Sequence, residues 1–99
     1  MELSLAKLAL LQALTTGPGF GLELIDRVRD RTDGTIKLHQ GSVYPALRSL
    51  ERDGFVTSYT GETNDARGGR PRIYYRITAE GARAAKAVGG LFATPTVLA

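Results

Sequence analysis

The chain has no cysteine, which in one step excludes a disulfide framework, a thiolate metal site and a thiol nucleophile. Histidine occurs once, at His39, so imidazoles cannot gather around a metal, and neither metal nor cofactor is expected. Paired carboxylates near His39 are missing, and so is a glycine-rich phosphate loop behind a strand. Gly17, Gly19 and Gly21 have part of the spacing of a dinucleotide loop, yet they fall between two helical patterns, where that fingerprint needs a preceding strand. An enzyme is therefore not expected. No apolar run approaches the roughly 20 residues that cross a bilayer. The opening Met1-Glu2-Leu3-Ser4-Leu5-Ala6-Lys7 lacks the basic-then-apolar order of a secretory signal, so a cytoplasmic location without membrane contact is expected.

What is present describes an ordinary globular chain. Its 99 residues, 42% apolar and 23% charged, suit one core: a domain over residues 1–88 and a short tail over 89–99. The formal charge of +3 is modest, so its placement matters more than its size.

Residues 2–15 read as a Leu- and Ala-rich helix with two apolar stripes, one of Leu3, Ala6, Leu10 and Ala13, the other of Leu8, Leu11 and Leu14. Two stripes fit either a helix central to the core or one that also meets a partner chain. Thr16-Gly17-Pro18-Gly19 stops it. Residues 20–31 are amphipathic, with Leu24, Ile25 and Val28 opposite Glu23, Asp26, Arg27 and Asp30, and Asp33-Gly34 is a turn. Thr35 to His39 reads equally as a brief strand or an extended connection. In residues 41–53, Val43, Leu47 and Leu50 share an inward face. Pro45 is harmless only in a first turn, which puts the helix cap near Gly41 or Ser42, with Ser42 the better residue by side chain. Gly54 has the place of a left-handed helix closure.

Two strand-like runs follow, Phe55–Thr60 and Ile73–Thr78, joined by a long tip that carries Arg67, Gly68, Gly69, Arg70, Pro71 and Arg72. Ile73, Tyr75 and Ile77 alternate with Tyr74 and Arg76, the pattern of a strand buried on one face. Thr78 caps a final helix through Thr-x-x-Gly. The fold class is thus mainly α with a small β-hairpin, in the order of a winged helix-turn-helix. In that layout the third helix turns its outer face to a DNA major groove, which is wide enough to admit it. Gln40, Ser42, Tyr44, Pro45, Arg48, Ser49 and Arg52 are the candidate contacts. Arg48 leads them, because its planar fork can take a guanine edge or a phosphate at two points, while Tyr44 either stacks into the core or directs its hydroxyl to a phosphate. Arg67, Arg70, Arg72 and Arg76 form a basic wing without an acid from 67 to 76, suited to the backbone or the narrow minor groove.

The rival to double-stranded DNA binding is a winged-helix protein–protein interaction module, which has no need of an acid-free arginine wing. An RNA partner would want an exposed aromatic platform, and Tyr74 reads as alone on the outer face of its strand.

Leu8-Ala9-Leu10-Leu11, Gly17-Pro18-Gly19-Phe20-Gly21-Leu22-Glu23-Leu24, Gly41-Ser42-Val43-Tyr44-Pro45-Ala46-Leu47, Gly54-Phe55-Val56 and Gly69-Arg70-Pro71-Arg72-Ile73-Tyr74-Tyr75 occur in this order. With these spaced motifs the chain resembles the PadR-type transcriptional regulators. The resemblance implies a homodimeric repressor on an inverted-repeat operator, with the third helix in the major groove and the wing on the flanking DNA; some members release DNA on binding a small hydrophobic or phenolic effector. The chain departs from the family's pattern at Gly89-Gly90, where long dimer-forming helices usually continue, and this resembles a short subclass with one C-terminal element. Leu3, Leu10, Leu91 and Phe92 are then the expected dimer contacts.

Overall fold

Ser4 begins the first helix: its side-chain oxygen accepts the Lys7 amide at 3.3 Å, which satisfies one of the amides that a helix start leaves unpaired. A computed structural model describes residues 4–61 and 72–88. Along the chain these form α1 (Leu5–Leu14), β1 (Gly19–Phe20), α2 (Gly21–Arg31), α3 (Gln40–Arg52), β2 (Val56–Thr60), β3 (Ile73–Ile77) and α4 (Ala79–Val88). The expected contacts Leu3, Arg67, Arg70, Leu91 and Phe92, and the tail after residue 88, lie outside the described residues.

Both apolar stripes of α1 point inward. Leu10, Leu11 and Leu14 are buried with Leu24 and Val28 of α2, Val43, Leu47 and Leu50 of α3, and Val56 of β2, and α1 packs against all three other helices. The expectation that Leu10 meets a partner chain is corrected by this packing. Its side chain is 0% exposed within its own chain and has no surface left to offer.

Local chemistry closes each element. At the end of α2, Asp33 (φ 55°) and Gly34 (φ 79°) turn left-handed, and the Gly34 amide reaches back to the Arg29 carbonyl at 2.7 Å. The Thr32 hydroxyl then accepts the Ile36 amide at 3.0 Å and shapes an extended connection to α3, without a strand. Gly54 (φ 85°) ends α3 as expected, with the Phe55 amide on the Leu50 carbonyl at 2.9 Å. Thr78 caps α4 as expected: its hydroxyl accepts the Gly81 amide at 3.0 Å and donates to the Gly54 carbonyl at 2.7 Å.

The start of α3 corrects the sequence reading. Its cap is His39, whose carbonyl accepts the Ser42 and Val43 amides at 2.9 Å each, and the Ser42 hydroxyl donates to that same oxygen at 3.0 Å. Ser42 is therefore inside the helix, and so is Pro45, whose missing N–H leaves the Gly41 carbonyl without its helical partner. Gly41 is exposed, so water can reach that carbonyl and the proline is tolerated.

The sheet is larger than a hairpin. Its order is β1-β3-β2, antiparallel throughout, with Gly19 opposite Tyr75, Phe20 opposite Tyr74, and β2 paired to β3 from Val56–Ile77 to Thr60–Ile73. The two-residue strand β1 comes from the α1–α2 connection, which Arg27 clamps. Its guanidinium donates to the carbonyls of Ala13 (3.1 Å), Gly17 (2.8 Å) and Pro18 (3.0 Å).

Candidate nucleic-acid interface

With about 100° of rotation per residue, burial of Val43, Ala46, Leu47 and Leu50 leaves a definite outer face on α3. Gln40, Ser42, Pro45, Arg48 and Arg52 are exposed, while Tyr44 and Ser49 are half-buried at its margins. The two arginines are charges in reserve, since among the described residues no acid pairs with either. Glu51, the nearest acid by helical spacing, instead accepts a 2.5 Å hydrogen bond from the Ser58 hydroxyl of β2.

Tyr44 leans from α3 onto the first residue of α2. A Cβ at Gly21 would lie 2.5 Å from the Tyr44 ring and 2.7 Å from its hydroxyl oxygen, so the glycine makes the room in which that ring sits. Tyr44 is half-buried and outside the core cluster, its ring packed on Gly21. Behind it, Tyr75 is buried on the inner face of β3. Burial first, and the neighbouring Glu51 carboxylate second, push its hydroxyl pKa above the ordinary tyrosine value, with Arg48 opposing.

Between these elements lies a concavity of about 250 Å³, lined by Phe20, Gly21, Leu22, Tyr44, Arg72 and Ile73. Ile73 corrects the expected alternation. Tyr75 is buried and Ile77 half-buried, but Ile73 is 47% exposed, because at the tip end of β3 it faces this concavity and its exposed neighbour Leu22 instead of the core.

Tyr74 is not alone on the outer sheet face, which corrects a second reading. Phe20 of β1 meets its ring edge-on at 5.4 Å, and Tyr59 of β2 stacks on it at 5.6 Å. The Arg72 guanidinium sits over Phe20 and that of Arg76 over Tyr59, each 4.8 Å from the ring centroid. The five side chains form one row, Arg72-Phe20-Tyr74-Tyr59-Arg76. Their rings lie against one another and against guanidinium groups, so the row differs from the open platform on which unpaired bases stack.

The structure therefore brings Tyr44 and Arg72 to one concavity beside the exposed face of α3. Sequence reasoning missed Phe20, Tyr59, Leu22 and Ile73. The period of two along β2 and β3 does put Tyr59 and Tyr74 on one face, whereas nothing local marks Phe20 as a strand residue. Among the described residues no acid–histidine cluster suits a metal, and no helix is long and apolar enough to cross a membrane.

The family model described as the transcriptional regulator PadR-like family matches residues 10–87. Among solved structures, a transcriptional regulator from Clostridium thermocellum is similar at 31% identity, covering 84% of this chain and 75% of that one, with a TM-score of 0.71. A PadR family transcription regulator from Clostridium difficile is 25% identical over 86% of this chain and 83% of its own, with a TM-score of 0.72. Bacillus subtilis PadR, solved in complex with operator DNA, shares the fold at a TM-score of 0.75 and 20% identity, covering 86% of this chain and 46% of that one. An uncharacterised protein of Lysinibacillus sphaericus is 29% identical over 62 residues, and the match spans 54% of that relative's length. The fold is a winged helix-turn-helix, and with the family model matching most of its length the chain belongs to the PadR-like family of transcriptional regulators.

Proposed function

We propose that this protein is a sequence-specific DNA-binding regulator, a homodimeric repressor that places α3 in the major groove of an inverted-repeat operator and its arginine wing on the flanking DNA. The observation that carries the reading is the outer face of α3. Arg48 and Arg52 stand exposed there beside Gln40, Ser42 and Pro45, free of acid partners among the described residues. Arginines without internal partners can neutralise phosphates or fork onto guanine edges. Arg72 and Tyr44 at the adjoining concavity extend the same surface, and the sequence adds Arg67 and Arg70 as further cations of the wing. Fold likeness to Bacillus subtilis PadR, solved with operator DNA, supports the reading.

Dimer formation draws on Leu3, Leu91 and Phe92; Leu10 takes no part. A symmetric operator is then required, because two recognition helices related by a two-fold axis read two half-sites.

The test is a titration against DNA from upstream of the protein's own gene and against a scrambled duplex, at two salt concentrations. Each neutralised phosphate contributes a slope of about −0.9 in log K against log salt. Tight, salt-sensitive binding that prefers the upstream DNA is expected. Failure to bind either duplex at low salt overturns the reading and favours a protein-binding module.

A further inference from the structure

The geometry points to Phe20 as a positioning residue for DNA binding: its ring holds the Arg72 guanidinium at the edge of the concavity beside α3, so that Arg72 meets DNA already oriented. This inference rests on the DNA-binding reading above. Arg72 is exposed and directly precedes β3. Its backbone is fixed, since the Gly61 amide donates to the Arg72 carbonyl at 2.8 Å. Its side chain has no ion-pair partner among the described residues, and the contact that holds it is the Phe20 ring 4.8 Å from Arg72 Cζ.

Phe20 is itself held from three sides. Its backbone pairs with Tyr74 in the sheet, its ring meets the Tyr74 ring edge-on, and its amide donates to the Glu23 carboxylate at 3.3 Å at the start of α2. One residue therefore joins the helix-turn-helix half of the molecule to the root of the wing. A free arginine loses rotamer freedom when it docks on a phosphate, whereas one already held over a ring loses less, and the difference appears as affinity. The contact also leaves donors to spare, because a cation 4.8 Å from a ring centroid is held by its charge and the guanidinium carries five N–H groups. The same arginine can thus rest on Phe20 and hydrogen-bond a phosphate oxygen. Arg72 and Tyr44 line one concavity, so the orientation that Phe20 imposes keeps the charge beside α3.

The experiment measures affinity of the full chain for a duplex that it selects from a randomised pool. The variants are Phe20→Leu, Phe20→Trp, Arg72→Ala, Arg48→Ala and the double variants Phe20→Leu/Arg72→Ala and Phe20→Leu/Arg48→Ala, with a thermal melt of each. Phe20→Leu keeps an apolar side chain and removes the aromatic face, and is expected to weaken binding about 2- to 5-fold for each protomer, the size of an exposed cation–π contact. Phe20→Trp restores wild-type affinity. Arg72→Ala weakens binding and makes the salt slope shallower by about 0.9 for each protomer, about 1.8 for the dimer on its full site. With Arg72 already removed, Phe20→Leu costs nothing more, whereas combined with Arg48→Ala its effect is undiminished. A loss on Phe20→Leu that is the same with and without Arg72 would show a merely structural role and overturn the inference. So would unchanged affinity in Arg72→Ala, and in both cases DNA binding itself stands. If the unmodified chain selects and binds no duplex at low salt, the DNA-binding reading falls and this inference with it.

Discussion

Gly81 is the third residue of α4, and intrinsic propensity favours its replacement, because alanine is preferred to glycine inside a helix by about 1 kcal/mol. Packing argues for the opposite sign. A Cβ at Gly81 would lie 2.1 Å from the Phe55 carbonyl oxygen, 2.7 Å from Ile77 Cγ1 and 3.0 Å from the Phe55 carbonyl carbon. A flexible side chain could swing clear, but a backbone carbonyl cannot. The Phe55 carbonyl accepts the Thr78 amide at 3.0 Å and the Thr78 hydroxyl donates to Gly54 at 2.7 Å, so α4 is pinned to the segment it would have to leave. Overpacking costs about 1–3 kcal/mol, and a backbone obstacle puts Gly81→Ala at the upper end. Offsetting at most about 1 kcal/mol of propensity leaves a net loss of about 2 kcal/mol. In a domain of this size that lowers Tm by roughly 8–16 °C. A thermal melt followed by far-ultraviolet circular dichroism reads the shift directly. A Tm equal to or above that of the parent would refute the packing argument and return the position to simple propensity.

Arg48→Ala is expected to weaken binding to a preferred duplex by about 1–3 kcal/mol with little change in Tm, because the side chain is exposed and unpaired among the described residues; an unchanged titration removes Arg48 from the contact set. Gly21→Ala pushes against the ring and hydroxyl of Tyr44, which can rotate away, so its effect falls on function: roughly 1 kcal/mol of DNA affinity, the size of one hydrogen bond, with Tm almost unaltered. A large drop in Tm with affinity intact would reverse that assignment. Tyr75 carries a pH dependence whose sign follows from burial. Its folded pKa lies above the unfolded value of about 10, so its contribution to stability is complete below that value and is lost as pH rises through the folded pKa. Tyr75→Phe should therefore shift the alkaline unfolding midpoint upward, and an unmoved midpoint would show that this hydroxyl's ionisation is not what opens the fold.

Where the controlling interactions are local, the sequence was a sound guide. Val43, Leu47 and Leu50 repeat at helical spacing, and all three are buried. Gly54 and Thr78 act through neighbours a few residues away, and both behave as their positions imply. The start of α3 differs from its sequence pattern because Pro45 does not demand a first turn where the carbonyl it deprives belongs to an exposed glycine that water can reach. Leu10 differs from its expected role because two apolar stripes on α1 do not say how many neighbours will cover them. Three helices do.

The amino-acid order by itself determined the four helices and the β2–β3 pair, the inward face of α3, the turns at Gly34 and Gly54, the Thr78 cap, and the presence of exposed arginines at 48, 52 and 72, because each depends on contacts within one or two helical turns or on strand alternation. Only the tertiary structure decided that Gly19-Phe20 becomes a strand, that Phe20, Tyr74 and Tyr59 form one row beneath Arg72 and Arg76, and that Tyr44 rests on Gly21. A two-residue strand has no period to read, and it exists only because folding brings the free edge of β3 beside it. Aromatic and cation–π contacts between residues far apart in the chain likewise have no trace in local spacing, because the helices packed around α1 set those distances.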